Sequence, residues 1–165
     1  MSIDPVSRRT FAAALIGAAG VGTLLLRGGS SSAAGPAFAV SRSPAQWRKI
    51  LGSERYAVLR KAATERPFSS PLLKEHRSGT FTCAACALPL FDSTTKFESG
   101  TGWPSFWKPL PRAVVTRTDR SLMSERTEVL CARCGSHLGH VFDDGPKATG
   151  LRYCMNGLAL NFRPA

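Results

Sequence analysis

The chain has 165 residues, enough for one domain with a real core and too few for two comfortable ones. Its 43% hydrophobic and 20% charged residues are the proportions of an ordinary soluble globular protein, but the formal net charge of +11 is not ordinary. Lys and Arg are spread along the chain with no run longer than a pair, so a solvated basic surface fits better than a nucleic-acid tract.

At the N-terminus, Ser7-Arg8-Arg9-Thr10-Phe11 precedes an apolar stretch from Ala12 to Leu26. That stretch is shorter than the roughly 20 residues needed to span a bilayer, and it suits the apolar region of a signal peptide. Arg8, Arg9 and Phe11 resemble a twin-arginine export signal, although Ala12 and Ala13 stand where Leu and Lys are frequent. Ala37-Phe38-Ala39 offers a cleavage point after Ala39, with Ser32-x-Ala34 as the alternative. The expectation is a signal peptide over 1–39 and a domain over 40–165, exported to the periplasm or cell envelope and free of the membrane after cleavage. An uncleaved anchor or a tail is the competing reading. Without residues 1–39 the chain still carries +9.

Beyond the Gly-, Ser- and Pro-rich stretch from Gly28 to Ser43, Ser43-Pro44 makes a helix start, with Ser as cap and Pro in the first turn. Trp47, Ile50 and Leu51 form one face of a short helix that stops at Gly52. Ser53 caps a second one carrying Tyr56, Leu59 and Ala63. From Gly79 onward the apolar runs are short and broken by turn residues. They predict strands at Thr80–Cys83, Val114–Arg117, Thr127–Cys131, Val141–Phe142, Leu151–Met155 and Leu158–Phe162. The expected architecture is two small helices ahead of an antiparallel β-domain.

Five cysteines, an odd number, argue against a simple disulfide framework. Cys83-Ala84-Ala85-Cys86 and Cys131-Ala132-Arg133-Cys134 are each followed by a small residue and by a Leu four positions after the second Cys. Two such knuckles supply four thiolates to one tetrahedral metal with no open position, a structural zinc site. Redox dithiols, two disulfides, or iron in the same S₄ geometry are the rival readings.

The fifth cysteine lies in Arg152-Tyr153-Cys154-Met155-Asn156. On a strand, Arg152 and Asn156 project to the same face as Cys154, giving a thiol flanked by a cation and an amide. Such an environment favours the nucleophilic thiolate, although a free Cys is often only a small buried hydrophobe. His137 and His140 follow directly on the second knuckle and are suited to act on a polar oxygen during nucleophilic attack. Asp143 and Asp144 come next, placed to orient a His or simply to make a turn. Ser99-Gly100-Thr101-Gly102-Trp103-Pro104-Ser105-Phe106-Trp107 combines turn-forming glycines with rigid aromatic surface that could line a pocket for a small apolar group.

Taken in order, these segments resemble the B-type methionine sulfoxide reductase family. The resemblance runs from Trp47-Arg48-Lys49-Ile50-Leu51 through Thr64-Glu65-Arg66-Pro67-Phe68, Gly102–Phe106, both knuckles and the two-His segment to Arg152-Tyr153-Cys154-x-Asn156 and Phe162. It implies a mainly β fold of two antiparallel sheets with short N-terminal helices and a structural Zn²⁺ on Cys83, Cys86, Cys131 and Cys134. It also implies reduction of methionine-R-sulfoxide in oxidised proteins, and of the free amino acid as a further possible substrate. Cys154 is then the nucleophile that becomes a sulfenic acid. His140 and Asn156 hold the sulfoxide oxygen, His137 and Asp144 support the polar side, and Arg152 helps keep Cys154 as thiolate. Trp103 packs on the substrate methyl, with Phe106 in the same wall. Thr101 replaces the second, resolving cysteine found in many relatives, so the implied reductant is an external thioredoxin-like thiol. Ala87 replaces a Gly after the first knuckle. No nucleic-acid partner is implied. A basic zinc-ribbon nucleic-acid binder would leave Cys154, the paired histidines and the export signal without a role, and an iron electron carrier would need iron and visible colour.

Overall fold

A computed structural model of the chain describes residues 38–165. The Arg8-Arg9 pair, the apolar stretch and the alternative cut at Ala34 lie outside the described residues. Phe38, on the leader side of the expected cut, lies against Gly135, and Val40 N–H donates to the Arg133 carbonyl at 3.0 Å. The segment around Ala39 is therefore part of the folded domain's surface.

Ser43 opens helix α1 (Pro44–Lys61) through a capping box, its hydroxyl accepting from Gln46 N–H while the Gln46 side chain accepts from Ser43 N–H. The two expected helices form one element broken at Gly52, whose φ of 71° and ψ of 178° only glycine adopts without strain. Trp47, Leu51, Tyr56, Val58 and Leu59 face the core. Arg60 in the last turn reaches over the Trp47 ring and donates to the Cys134 carbonyl at 3.0 Å, tying the helix to the second knuckle.

The strands are β1 (Gly79–Cys83), β2 (Pro89–Asp92), β3 (Lys96–Phe97), β4 (Ser105–Phe106), β5 (Val114–Asp119), β6 (Arg126–Cys131), β7 (His137–Phe142), β8 (Arg152–Met155) and β9 (Leu160–Pro164). They form two antiparallel sheets, ordered β2-β1-β9 and β3-β4-β8-β7-β6-β5. The mainly β, two-sheet architecture matches the expectation. Three strands were not foreseen. β2 begins with a Pro, which is tolerated because it lies on a sheet edge, while β3 and β4 are too short to show a period. β7 reaches back through both histidines, and the last strand starts later than expected because Gly157–Ala159 forms a 3₁₀ turn.

Phe81, Phe91 and Phe106 join the sheets: Phe106 stacks on Phe91 at 4.3 Å and meets Phe81 edge-on at 4.9 Å, all three fully buried. Burying each such ring contributes about 2–3 kcal/mol before entropic costs. Among the described residues no helix is long and apolar enough to cross a membrane.

Candidate active site and metal centre

The two knuckles are built alike. Ala87 N–H donates to the Cys83 carbonyl and Gly135 N–H to that of Cys131, while Cys83 N–H and Cys131 N–H donate to the carbonyls of Leu88 and Ser136. Ala87 (φ 58°) and Gly135 (φ 65°) hold the same left-handed conformation, so the Ala at the first knuckle bears a strain that the Gly does not.

Folding brings the four sulfurs within 4.8 Å of one another, with Cys83–Cys134 at 3.8 Å and Cys86–Cys131 at 3.6 Å. A tetrahedral ion with metal–sulfur bonds of about 2.3 Å requires sulfurs about 3.8 Å apart. The donor set fits. Contacts with the other sulfurs push the Cys83 thiol up and Cys131 up to about 12, while they draw Cys134 down and Cys86 down to about 7. The protein alone does not favour four thiolates together; a cation at their centre does.

Cys154 lies on β8, in the middle of the larger sheet, opposite Ser105 of β4 and His140 of β7. It opens into a pocket of about 120 Å³ shared with Thr64, Trp103, Arg126, Gly139, His140, Phe142 and Asn156. A larger concavity of about 620 Å³ beside α1 contains neither cysteine nor histidine among its walls, so chemistry and not size identifies the site. At Gly139 a side chain would meet the Cys154 carbonyl at 2.1 Å, so only glycine lets the two backbones come this close.

Asn156 is buried with its amide fixed: Oδ1 accepts from Glu65 N–H at 3.0 Å and Nδ2 donates to the Leu138 carbonyl at 3.2 Å. One N–H remains for the pocket. The Trp103 indole N–H donates to the Glu65 carbonyl at 3.1 Å, which fixes the ring.

Two placements differ from the sequence expectations. Phe106 does not line the pocket; its ring fills the space between the sheets, where Phe81 and Phe91 enclose it. Asp144 orients no histidine, because the β7–β8 connection turns it onto Arg152, which donates to its two oxygens at 2.9 and 2.8 Å. Asp143 is an exposed turn residue. The Asp144 carboxylate is the main cause that raises the Arg152 pKa above its usual value, with the nearby Cys154 adding to it. Arg152 also lies 4.4 Å over the Phe142 ring.

The histidines take carboxylates that sequence reasoning missed. His137 Nδ1 is 2.7 Å from Glu128 Oε1, and His140 Nε2 is 2.8 Å from Asp119 Oδ2. Arg117 holds the other oxygen of Glu128, while Arg126 donates to the same Asp119 oxygen as His140, at 2.7 Å. Bonds from Ser121, then from His140 and Arg126, keep the Asp119 carboxyl well below the usual carboxylate range. Burial pushes the His137 imidazole below its ordinary value, against the pull of Glu128. His137 stands behind His140, ring centres 5.5 Å apart, and its Nε2 has no partner among the described residues. The available signal was Arg126-x-Glu128, two charges on one face of a strand entering a knuckle.

Thr101 Oγ1 lies 3.6 Å from Cys154 Sγ and 2.8 Å from Ser99 Oγ, which is 2.7 Å from Ser105 Oγ. A chain of hydroxyls thus ends on the thiol.

Residues 51–164 match the SelR domain. The chain is 54% identical over 126 residues to the peptide methionine sulfoxide reductase MsrB of Methanosarcina barkeri, covering 76% of this chain and 89% of that one. It is 50% identical over 127 residues to the protein of that name from Leptospira interrogans, covering 76% and 97%, and 54% identical over 126 residues to that of Bradyrhizobium diazoefficiens, covering 76% and 91%. The chain belongs to the SelR-domain family.

Proposed function

We propose that the chain is a peptide methionine-R-sulfoxide reductase in which Cys154 attacks the sulfoxide sulfur. The observation that carries this reading is the seat of Cys154: one thiol in a small pocket that Trp103, His140 and Asn156 also line. The SelR match and the names of the relatives support it.

The Cys154 thiolate forms an S–S bond to the sulfoxide sulfur while the oxygen takes a proton from His140, with His137 behind it. Asn156 Nδ2–H steadies that oxygen. Transfer of the hydroxyl to Cys154 sulfur releases the thioether, so methionine is reduced by two electrons and Cys154 is oxidised to the sulfenic acid. Arg152, held by Asp144, supplies positive charge beside the thiolate. Selectivity follows from occupancy at the sulfur. With nucleophile, oxygen, methyl and chain each assigned a direction, the S epimer must press its oxygen on Trp103 or its methyl on the polar wall. Free methionine sulfoxide presents the same group and is a further substrate.

Thr101 has no sulfur to condense with the sulfenic acid, so an external thiol must resolve it. A first thiol forms a mixed disulfide and releases water. A second thiol, or the second sulfur of a thioredoxin-like donor, regenerates Cys154. The knuckle cysteines hold Zn²⁺, whose role in this reading is folding. Arg8-Arg9 and the following apolar stretch support export to the periplasm or cell envelope; normal processing of an Arg8→Lys/Arg9→Lys variant would count against the twin-arginine route.

The test is turnover of separated R and S sulfoxides with a dithiol reductant, followed by trapping of the sulfenic acid after one turnover without reductant. Turnover of the R epimer alone and a trapped adduct on Cys154 are expected. Equal use of both epimers, or a disulfide between Cys154 and a knuckle cysteine, would overturn the corresponding part.

A further inference from the structure

Glu65 lies outside the pocket wall, yet its backbone bonds two residues of the wall and its carboxylate bonds the turn that follows one of them. Its side chain is buried, 8% of the residue being exposed, and the carboxylate accepts from Gly157 N–H and, at 3.0 Å, from Leu158 N–H. Its own N–H donates to Asn156 Oδ1 and its carbonyl accepts from the Trp103 indole. The contact is tight: a side chain at Gly157 would meet Ser70 Oγ at 1.9 Å and Glu65 Oε1 at 3.2 Å.

These bonds unite three stretches distant in sequence. The carboxylate clamps the turn that follows Asn156, which fixes where residue 65 stands relative to β8. The backbone of residue 65 then orients the Asn156 amide and hangs the Trp103 indole. We propose that Glu65 is the positioning residue of the Cys154 pocket, setting the spacing between its apolar wall, Trp103, and its polar wall, Asn156. The role rests on the reading that this pocket receives the sulfoxide. That spacing separates the methyl of the substrate from its oxygen, so Glu65 controls epimer selectivity without touching the substrate.

The test uses the full chain with its metal, comparing Glu65→Gln with wild type. The Gln side chain presents an NH₂ group to one of two N–H donors that both need an acceptor, which loosens the clamp with no change of volume. Three results are expected together. The Trp103 indole N–H, assigned by its loss in Trp103→Phe, exchanges with solvent at least about tenfold faster. The kcat/KM for R-sulfoxide falls roughly ten- to hundredfold and the ratio of R to S turnover narrows, as expected for misplaced walls. Metal content and the rate of Cys154 alkylation by iodoacetamide stay at wild-type values. Glu65→Asp keeps the charge but is shorter, and should fall between the two. In a Trp103→Phe background Glu65→Gln should cost less than it does alone, because one of its contacts is already gone. Wild-type selectivity and indole exchange in Glu65→Gln would overturn the proposal. So would loss of metal and altered alkylation in step with activity, since that marks general destabilisation. If wild type reduces neither epimer, the functional reading fails, and the indole exchange still decides whether Glu65 holds the pocket walls.

Discussion

The protein uses one chemical group in two opposed settings. At the knuckles, four cysteine sulfurs face each other, three of these residues buried, and Arg60 ties the second knuckle to α1 through the Cys134 carbonyl. On β8, Cys154 faces a pocket, flanked by Thr101, Arg152 and His140 and with no other sulfur as partner among the described residues. Sulfurs that face inward are placed to share a metal and so to stabilise the fold. A sulfur that faces a pocket has nothing to neutralise it but its neighbours, and so stays available as a nucleophile.

The sharpest way to break this contrast is to exchange sulfur for oxygen at each centre. Cys154→Ser is expected to lower turnover by at least about 10⁴-fold, because the hydroxyl is not ionised near neutral pH; metal content and melting temperature should be unchanged. Residual turnover above that level, measured with the R epimer, would move the chemistry elsewhere. Cys134→Ser should do the reverse, giving a chain that loses its zinc and unfolds, since the apparent binding energy of such a site, about 10–16 kcal/mol, is folding energy. Retention of one metal per chain and a normal melt would remove the structural role.

A smaller effect is expected where the two centres meet, on the strands that run from the knuckle to the histidines. Asp119→Asn should reduce kcat roughly ten- to hundredfold, within the range of general acid–base contributions, while metal content holds. Unchanged kcat would leave His140 oriented by something other than Asp119. Thr101→Cys tests the hydroxyl that stands 3.6 Å from Cys154. If Cys154 forms the sulfenic acid proposed above, a thiol at position 101 should condense with it into an intrachain disulfide after one turnover, read as a mass change. A persisting sulfenic acid would show that the loop holds residue 101 in the wrong direction.

The smallest effects concern stability. Ala87→Gly should stabilise the first knuckle by about 1 kcal/mol by relieving its left-handed strain. The buried His137 has a folded-state pKa below its unfolded value. Its contribution is present above the unfolded pKa, about 6.5, and is lost as pH falls through the lower folded value, because the unfolded state binds the proton first. Urea midpoints measured between pH 8 and 5 should therefore fall toward acid, and less steeply in His137→Gln.

Much of both centres was legible in the sequence for a local reason. The CxxC turns are closed by hydrogen bonds within five residues, so their spacing alone implies a thiolate pair. Arg152, Cys154 and Asn156 share a face by the period of a strand. The class of fold was legible too, since short apolar runs with frequent turns leave little besides antiparallel sheets.

What the sequence could not show was which residue meets which across the fold. Asp143 and Asp144 were the carboxylates nearest the histidines in sequence, yet Asp144 serves Arg152, while His140 takes Asp119 from 21 residues away and His137 takes Glu128 from the neighbouring strand. Phe106 sits three positions from Trp103 and still belongs to the core, because its ring finds Phe91 from the other sheet. Glu65 reaches Gly157 across 92 residues. Local spacing determines which groups can act together within one turn or strand. Which distant carboxylate orients a histidine, and which residue holds a wall in place, depends on sheet order and register, and those exist only once the chain has folded.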